Sequence, residues 1–340
     1  FKPKSEHSID KLLTILKKAE RELIDSHKSI DSVPYNGLSE SYVERLYINS
    51  DGANRYMKLS QASIYLYAKA EEDNKKPRSA GSIRINSELE KLDIDSCITE
   101  TSEKLISHLN YKSIETKKYL ICFTPDAFLQ LISAFSSMFN ARSIIDGLSL
   151  MNEKSLGKQI SIKNLNISDE GLHPANIGAF SFDGEGTPTQ NINLIQSGVL
   201  TNLIHSEATA RKFGVKPTGH AGLGAKVSVS PDWLVVSKSS NGIDKDESLS
   251  IKNTQKEYIL IDELSAIHSG VKASQGSFSL PFDGWIVNNG SKISIDAATV
   301  AGDILKVLNS IVKIENEQIV THQGISPYIW VENMAITGEA

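Results

Sequence analysis

Cysteine is scarce in this chain. Only Cys97 and Cys122 occur among its 340 residues, which excludes a disulfide-stapled scaffold and suits two reduced thiols, one on a predicted helix and one in a predicted buried strand. Long apolar runs are also missing, and nothing approaches the ~18 residues that a membrane-spanning helix needs. Basic clusters go no further than pairs such as Lys17-Lys18 and Lys75-Lys76, and the formal net charge is −5. A nucleic-acid surface needs clustered Lys and Arg to neutralise phosphates, so this balance argues against direct nucleic-acid binding. The chain opens on Phe1-Lys2-Pro3 without a visible signal segment, and the cytoplasm is the expected compartment.

Local catalytic signatures are missing too. The eight histidines are His7, His27, His108, His173, His205, His220, His268 and His322, and the closest two, His205 and His220, are fifteen residues apart. A zinc helix of the metalloprotease type needs two His ligands one turn apart with Glu beside them as general base. No such pattern exists here, although ligands from distant loops stay possible on sequence grounds. No Gly-x-Ser-x-Gly elbow occurs. The Gly219–Gly224 stretch is glycine-rich but lacks the Lys of a phosphate cradle. Cys122, in a buried strand, reads as inert.

What is present is an ordinary globular balance, with 40% hydrophobic and 23% charged residues, enough for two domains. Apolar spacing predicts an amphipathic helix over 8–27 that Ser8 can cap, and a second over 93–109. Val33–Gly37 reads as a turn. Runs at 42–49 and 56–70 read as strands around an Asp51-Gly52 hairpin turn, with another strand at 82–86. Thr124-Pro125 is a cap followed by Pro at the first helical position, opening a helix over 126–139 that is apolar on most sides. Such a helix is buried at a domain or subunit interface, which makes Phe128, Phe135 and Phe139 candidates for a dimer or partner contact. Beyond about residue 150, glycine-rich turns and short strands dominate. Hairpin signals stand at Ser197-Gly198 and Asn289-Gly290, a short helix at 206–213 ends in Gly214, and the last helix falls within 299–314. The fold class expected is α+β: an N-terminal α/β domain over 1–117, then a mostly β C-terminal domain over 118–340.

Two stretches carry the chemistry, Phe182–Gln190 and Thr218–Gly222. Asp183 and Glu185 stand two apart, so on extended backbone both point to one face and could bind a cation or an amine. In a tight glycine turn they instead cap backbone N–H groups, the favoured reading on turn chemistry. His220 beside Gly219 is either a ligand or a hydrogen-bonded loop residue, the latter being commoner for a lone His. Asp183, Glu185, Thr218, Gly219 and His220 are together the candidate substrate or partner groove. No metal-ligating residue is assigned.

Taken in order, several segments resemble the TldD/PmbA family, once called modulators of DNA gyrase. They are Tyr47–Gly52, Ser155–Ile160, Phe182–Gln190, Leu194–Leu200, Ala210–Gly214, Thr218–Ala221, Gly276–Ser279 and Val300–Gly302. The resemblance covers roughly 40 to 338, nearly the whole chain. It implies a metalloprotease family in which the TldD branch holds its metal through a His-Glu-x-x-x-His helix and a later Cys. The corresponding helix here, 126–139, has no His and no Glu, and the corresponding loop, 314–326, has no Cys. That departure places the chain with the metal-free PmbA, or TldE, branch. The resemblance then implies a non-catalytic subunit that holds no cofactor. Zinc would sit in a TldD-like partner, and the substrates would be unfolded or extended peptides. A dimer with such a partner or with a second copy is expected, and a peptide-binding homodimer acting alone is the alternative. Independent proteolysis through a distributed metal site would call on His205, His220, Asp183 or Glu185. Family members carry more residues before the first helix, so a truncated N-terminal domain is expected, with a sheet edge left open.

Overall fold

The computed structural model describes residues 7–240 and 242–338. The chain divides into two compact units at Tyr111/Lys112, rather than after residue 117. The architecture is the mixed α+β class expected.

In the first unit, helix Ile9–Asp25 is capped by Ser8, whose Oγ accepts from the Lys11 amide. Three antiparallel strands follow in sequence order, Ile30–Ile48, Asn54–Ala70 and Arg78–Asn86. Helix Ile94–Ser107 closes the unit, with the Asp93 carboxylate accepting from Ser96 N. Period-2 alternation puts Ala62, Ile64, Leu66 and Ala68 on one face, where they are buried with Leu23, Cys97 and Leu105. The helices pack on this face, because burying it is what stabilises a three-stranded sheet.

One element departs from the sequence reading. Val33–Gly37 is not a turn but part of strand Ile30–Ile48. The strand absorbs Pro34 through register shifts between Ile30 and Ser32 and between Ser32 and Tyr35. Proline has no N–H for a ladder, so it is tolerated at a bulge on an edge strand, which this strand is. The Asp51-Gly52 turn forms as expected. Gly52 has φ +88°, and Asn49 Oδ1 accepts from the amides of Asp51 and Ala53.

The second unit packs a large mixed sheet and a six-stranded sheet around one core. In the larger sheet, Lys117–Phe123 lies between Tyr258–Leu264, parallel to it, and Ile329–Gly338, antiparallel. In the smaller, Leu165–Glu170 lies between Leu234–Lys238 and Asn191–Gln196. Helix Pro125–Ala134 begins where Thr124 Oγ1 accepts from Ala127 N. It touches strands of both sheets.

That placement corrects the interface assignment. Phe128, Phe135 and Phe139 are each 0% exposed, with Phe128 against Phe123 and Phe135 against Phe278 at ring centroid separations of 6.2 and 6.1 Å. The helix is apolar on most sides because its own unit walls it in, so these rings face no partner. The helix also ends at Ala134, with a 3-10 turn Ser136–Met138 after it. Among the described residues no helix is long and apolar enough to cross a membrane.

Candidate functional site

The Phe182–Gln190 segment folds as a tight turn, not as extended backbone. Phe182 bridges to Pro188, and Asp183 N donates to Thr187 O at 2.9 Å. Inside the turn, Asp183 Oδ1 accepts from the amides of Glu185 and Thr187, both at 2.9 Å. Its Oδ2 accepts from Ala221 N at 2.9 Å. One carboxylate thus satisfies three backbone donors and stitches the turn to the 218–222 segment. Glu185 reaches elsewhere: its Oε2 accepts from Glu207 N at 2.8 Å, in the first turn of helix Glu207–Phe213, where Ser206 is the cap. An anion there matches the helix dipole and an otherwise unpaired amide.

On the facing segment, Thr218 Oγ1 accepts from His205 N at 2.8 Å and donates to His205 O at 3.2 Å. Gly219 has φ +78°, and a Cβ there would come within 2.3 Å of Pro188 O. Only glycine permits both that backbone and that approach. His220 Nδ1 lies 2.9 Å from Thr218 Oγ1. Its Nε2 lies 3.3 Å from Asp169 Oδ2, with both side chains fully buried. The Thr218 hydroxyl proton goes to His205 O, so its oxygen is free to accept from Nδ1–H, and the carboxylate favours N–H at Nε2 as well. Burial works against a charged imidazole here. The Asp169 carboxylate beside Nε2, with Asp232 behind it, outweighs burial and raises the His220 pKa.

Asp169 and Asp232 were not singled out from sequence. Asp169 sits at an inward position of Leu165–Glu170. Its two oxygens accept from Trp233 N at 2.9 Å and Asp232 N at 2.7 Å. The available signal was an acidic residue in phase with the core positions Leu165 and Ile167 of an alternating run. Asp232 is exposed as a residue, yet its Oδ2 turns in against Gly171, 3.0 Å from where a Cβ would stand. Desolvation of that carboxyl and the neighbouring Asp169 charge push its pKa up to about 6.

All five groove candidates therefore converge, but the Asp183, Glu185 and Thr218 oxygens serve the backbone, and the His220 ring turns to the Thr218 and Asp169 side chains. Asp183, Thr218 and His220 are buried. Their chemistry is positional: they fix the 180–190 turn, helix Glu207–Phe213 and the 218–222 segment against strand Leu165–Glu170. His205 packs edge-on to Phe213, and burial lowers its pKa. Among the described residues no group of three or more His, Cys, Asp or Glu side chains could hold a metal ion. The residues drawn into a distributed site, His205, His220, Asp183 and Glu185, form no such group, and both Asp183 oxygens and Glu185 Oε2 accept backbone N–H groups instead. On helix Pro125–Ala134 the one acidic side chain is Asp126, with Oδ1 3.8 Å from Nδ1 of His322 in the late loop. This pair does not fit a catalytic zinc, which takes three protein ligands. Cys122 is buried, and desolvation raises its thiol pKa well above the ordinary value.

Comparison with known proteins agrees with this architecture. The PmbA/TldA metallopeptidase central domain matches residues 2–109, and the C-terminal domain of the same family matches 116–338. The metalloprotease PmbA of Escherichia coli O157:H7 is 24% identical over 315 residues, 92% of this chain and 66% of that protein. The PmbA homologue of Haemophilus influenzae is 24% identical over 235 residues, covering 68% of this chain and 49% of that protein. This chain thus spans less than two thirds of the length of these relatives. Among solved structures, a Thermotoga maritima protein named as a modulator of DNA gyrase superposes with a TM-score of 0.86 at 26% identity, covering 97% of this chain and 75% of that one. TldE from Thermococcus kodakarensis gives a TM-score of 0.84 at 21% identity, covering 99% and 77%, a likeness of fold. With both domain types matched in order along its length, the chain belongs to the PmbA/TldA metallopeptidase family, the TldD/PmbA family of the sequence resemblance.

Proposed function

We propose that this chain is the PmbA/TldE-type, non-catalytic subunit of a cytoplasmic metalloprotease assembly that acts on unfolded or extended peptides. The observation that carries the reading is the composition of one helix. In a metallopeptidase family, Pro125–Ala134 holds no His and no Glu, and its Asp126 faces His322 rather than a ligand set. Zinc then belongs to a TldD-type partner, and this chain shapes the space in which the peptide lies. The buried Asp183, His220 and Asp169 hold the turns in place, and the exposed Leu223, over Gly184 in the same cluster, is a side chain a peptide could touch.

The test is co-expression with the TldD-type protein of the same genome and hydrolysis of an unstructured peptide, with and without chelator. Chelator-sensitive cleavage that needs both chains supports the proposal. Absence of a complex, or cleavage indifferent to this chain, rejects it in favour of a peptide-binding protein that acts alone.

A further inference from the structure

A cavity of about 350 Å³ opens in the second unit and shares no residue with the Asp183–His220 cluster. Its floor is apolar: Leu249 and Val312 belong to the core cluster around Trp330, and Leu120 packs on it. Its rim is charged. Strand Lys117–Phe123 contributes Lys118, the segment 245–256 contributes Lys245, Asp246 and Lys256, and strand Ile329–Gly338 contributes Glu332 and Asn333. These last two sit in a bulge. Val331 pairs with Ile121 and Met334 with Tyr119, so Glu332 and Asn333 together stand opposite Leu120. Asn333 has φ +60°, a conformation that Asn tolerates better than most residues. Bulges re-aim side chains and recur beside functional sites, and this one puts both residues on the cavity wall. Most of the rim is already matched. Asp246 Oδ2 accepts from Lys256 Nζ, and its Oδ1 accepts from Ser248 N at 3.1 Å. Glu332 pairs with Lys245. The Lys118 ammonium and the Asn333 side-chain amide have no hydrogen-bond or ion-pair partner among the described residues. Three ammonium groups thus meet two carboxylates, and one positive charge is left over beside a free amide and an apolar floor.

We infer that this cavity binds a small molecule that joins one carboxylate to an apolar group. Lys118 and Asn333 hold the carboxylate, since an ammonium and an amide NH₂ both donate to it, and the apolar group lies on Leu120, Leu249 and Val312. The volume falls at the small end of ligand sites, which pair an apolar lining with a few placed polar groups. A phosphate is disfavoured, because its second charge would meet Asp246 and Glu332, and the lining offers neither a helix N-terminus nor an arginine fork to hold it. A cation would meet the unmatched Lys118. The same chemistry is presented by a free aliphatic acid and by the C-terminus of a peptide that ends in an apolar residue. The inference concerns a separate site and stands apart from the peptidase reading, since its test involves neither a partner chain nor a metal.

The experiment is calorimetric titration of the full chain at low salt with hexanoate, its uncharged counterpart hexanamide, acetate, and N-acetylleucine standing for a peptide end. The expected result is saturable binding of hexanoate or N-acetylleucine at about 1 mM or tighter. Hexanamide lacks the charge and acetate lacks the apolar group, so each should bind at least about tenfold more weakly. Lys118→Gln should weaken the carboxylate about tenfold, whereas Lys117→Gln, one position away and paired with Glu115, should leave it unchanged. Both lysines are exposed, so both variants should keep the wild-type circular dichroism. N-acetylleucine as the tighter ligand marks a peptide end as the occupant, and hexanoate as the tighter marks a free acid. Failure of both to saturate by about 10 mM, equal binding of hexanamide, or a site that Lys118→Gln weakens no more than Lys117→Gln overturns the inference.

Discussion

In the second unit the six-stranded sheet ends in strands of two residues, Ile319–Val320 and Val199–Leu200, while Lys117–Phe123 and Tyr258–Leu264 have strands on both sides. The first unit keeps a 19-residue strand at its edge and lets a two-stranded ribbon run beyond its third strand. One unit is finished as a folding problem. The other shows, among the described residues, an edge strand without a second neighbour and apolar side chains left exposed. The sequence reading expected an open sheet edge in the N-terminal domain and a partner surface on the 126–139 helix, and the structure moves the second into the core. A helix that is apolar all round signals burial, and here burial is intramolecular.

The largest expected effect tests whether the second unit is closed. Phe128→Ala should cost about 3–5 kcal/mol, because a fully buried ring leaves a cavity that both sheets would have to collapse into. Trp233, Trp285 and Trp330 all lie in the second unit, so denaturant unfolding followed by tryptophan fluorescence reports on it alone. A loss below about 1 kcal/mol would place the ring at a yielding surface and reopen the partner role.

Asp183→Ala comes next. It strips the acceptor from three backbone amides, and a loss of about 2–3 kcal/mol is expected by the same fluorescence measurement. If Asp183 mattered only for ligand contact, stability would stay within about 0.5 kcal/mol of wild type.

The third effect is a pH slope. His220 and Asp232 both have folded-state pKa values above their ordinary ones, Asp232 at about 6. Each therefore binds protons more readily when folded. The stability each contributes is complete below its ordinary value and is lost as pH rises through the folded one. Between pH 5 and 8 the second unit should become easier to unfold. Asp232→Asn should flatten the lower part of that slope and His220→Gln the part above 6.5, the ordinary His value. A slope unchanged in both variants would show that neither group titrates as the Asp169 cluster requires.

How much of this was legible in the sequence depended on whether the signal was local. The Thr124-Pro125 start, the Gly214 stop and the hairpins at Asp51-Gly52, Ser197-Gly198 and Asn289-Gly290 are set by residues within a turn, and the structure has them. Asp183 as a turn cap was legible for the same reason. Asp169 was not, because its partners Trp233 and His220 lie far along the chain and only the sheet brings them together. Pro34 misled because proline marks a turn locally, whereas its tolerance in a strand depends on that strand being an edge, which is a property of topology.

The smallest effect is the sharpest test of the comparison. Leu46 and Ile64 belong to one hairpin and one face, yet Leu46 is 61% exposed and Ile64 is 0%. Ile64→Ala should cost about 2–5 kcal/mol. Leu46→Ser should change local stability by no more than about 0.5 kcal/mol. Hydrogen exchange along Asn54–Ala70 separates the two, with protection at the Ala62–Ala70 end collapsing in the first variant and surviving in the second. If Leu46→Ser instead costs as much as a core truncation, the ribbon is part of the first unit's own core, and the contrast between a finished and an unfinished unit is lost.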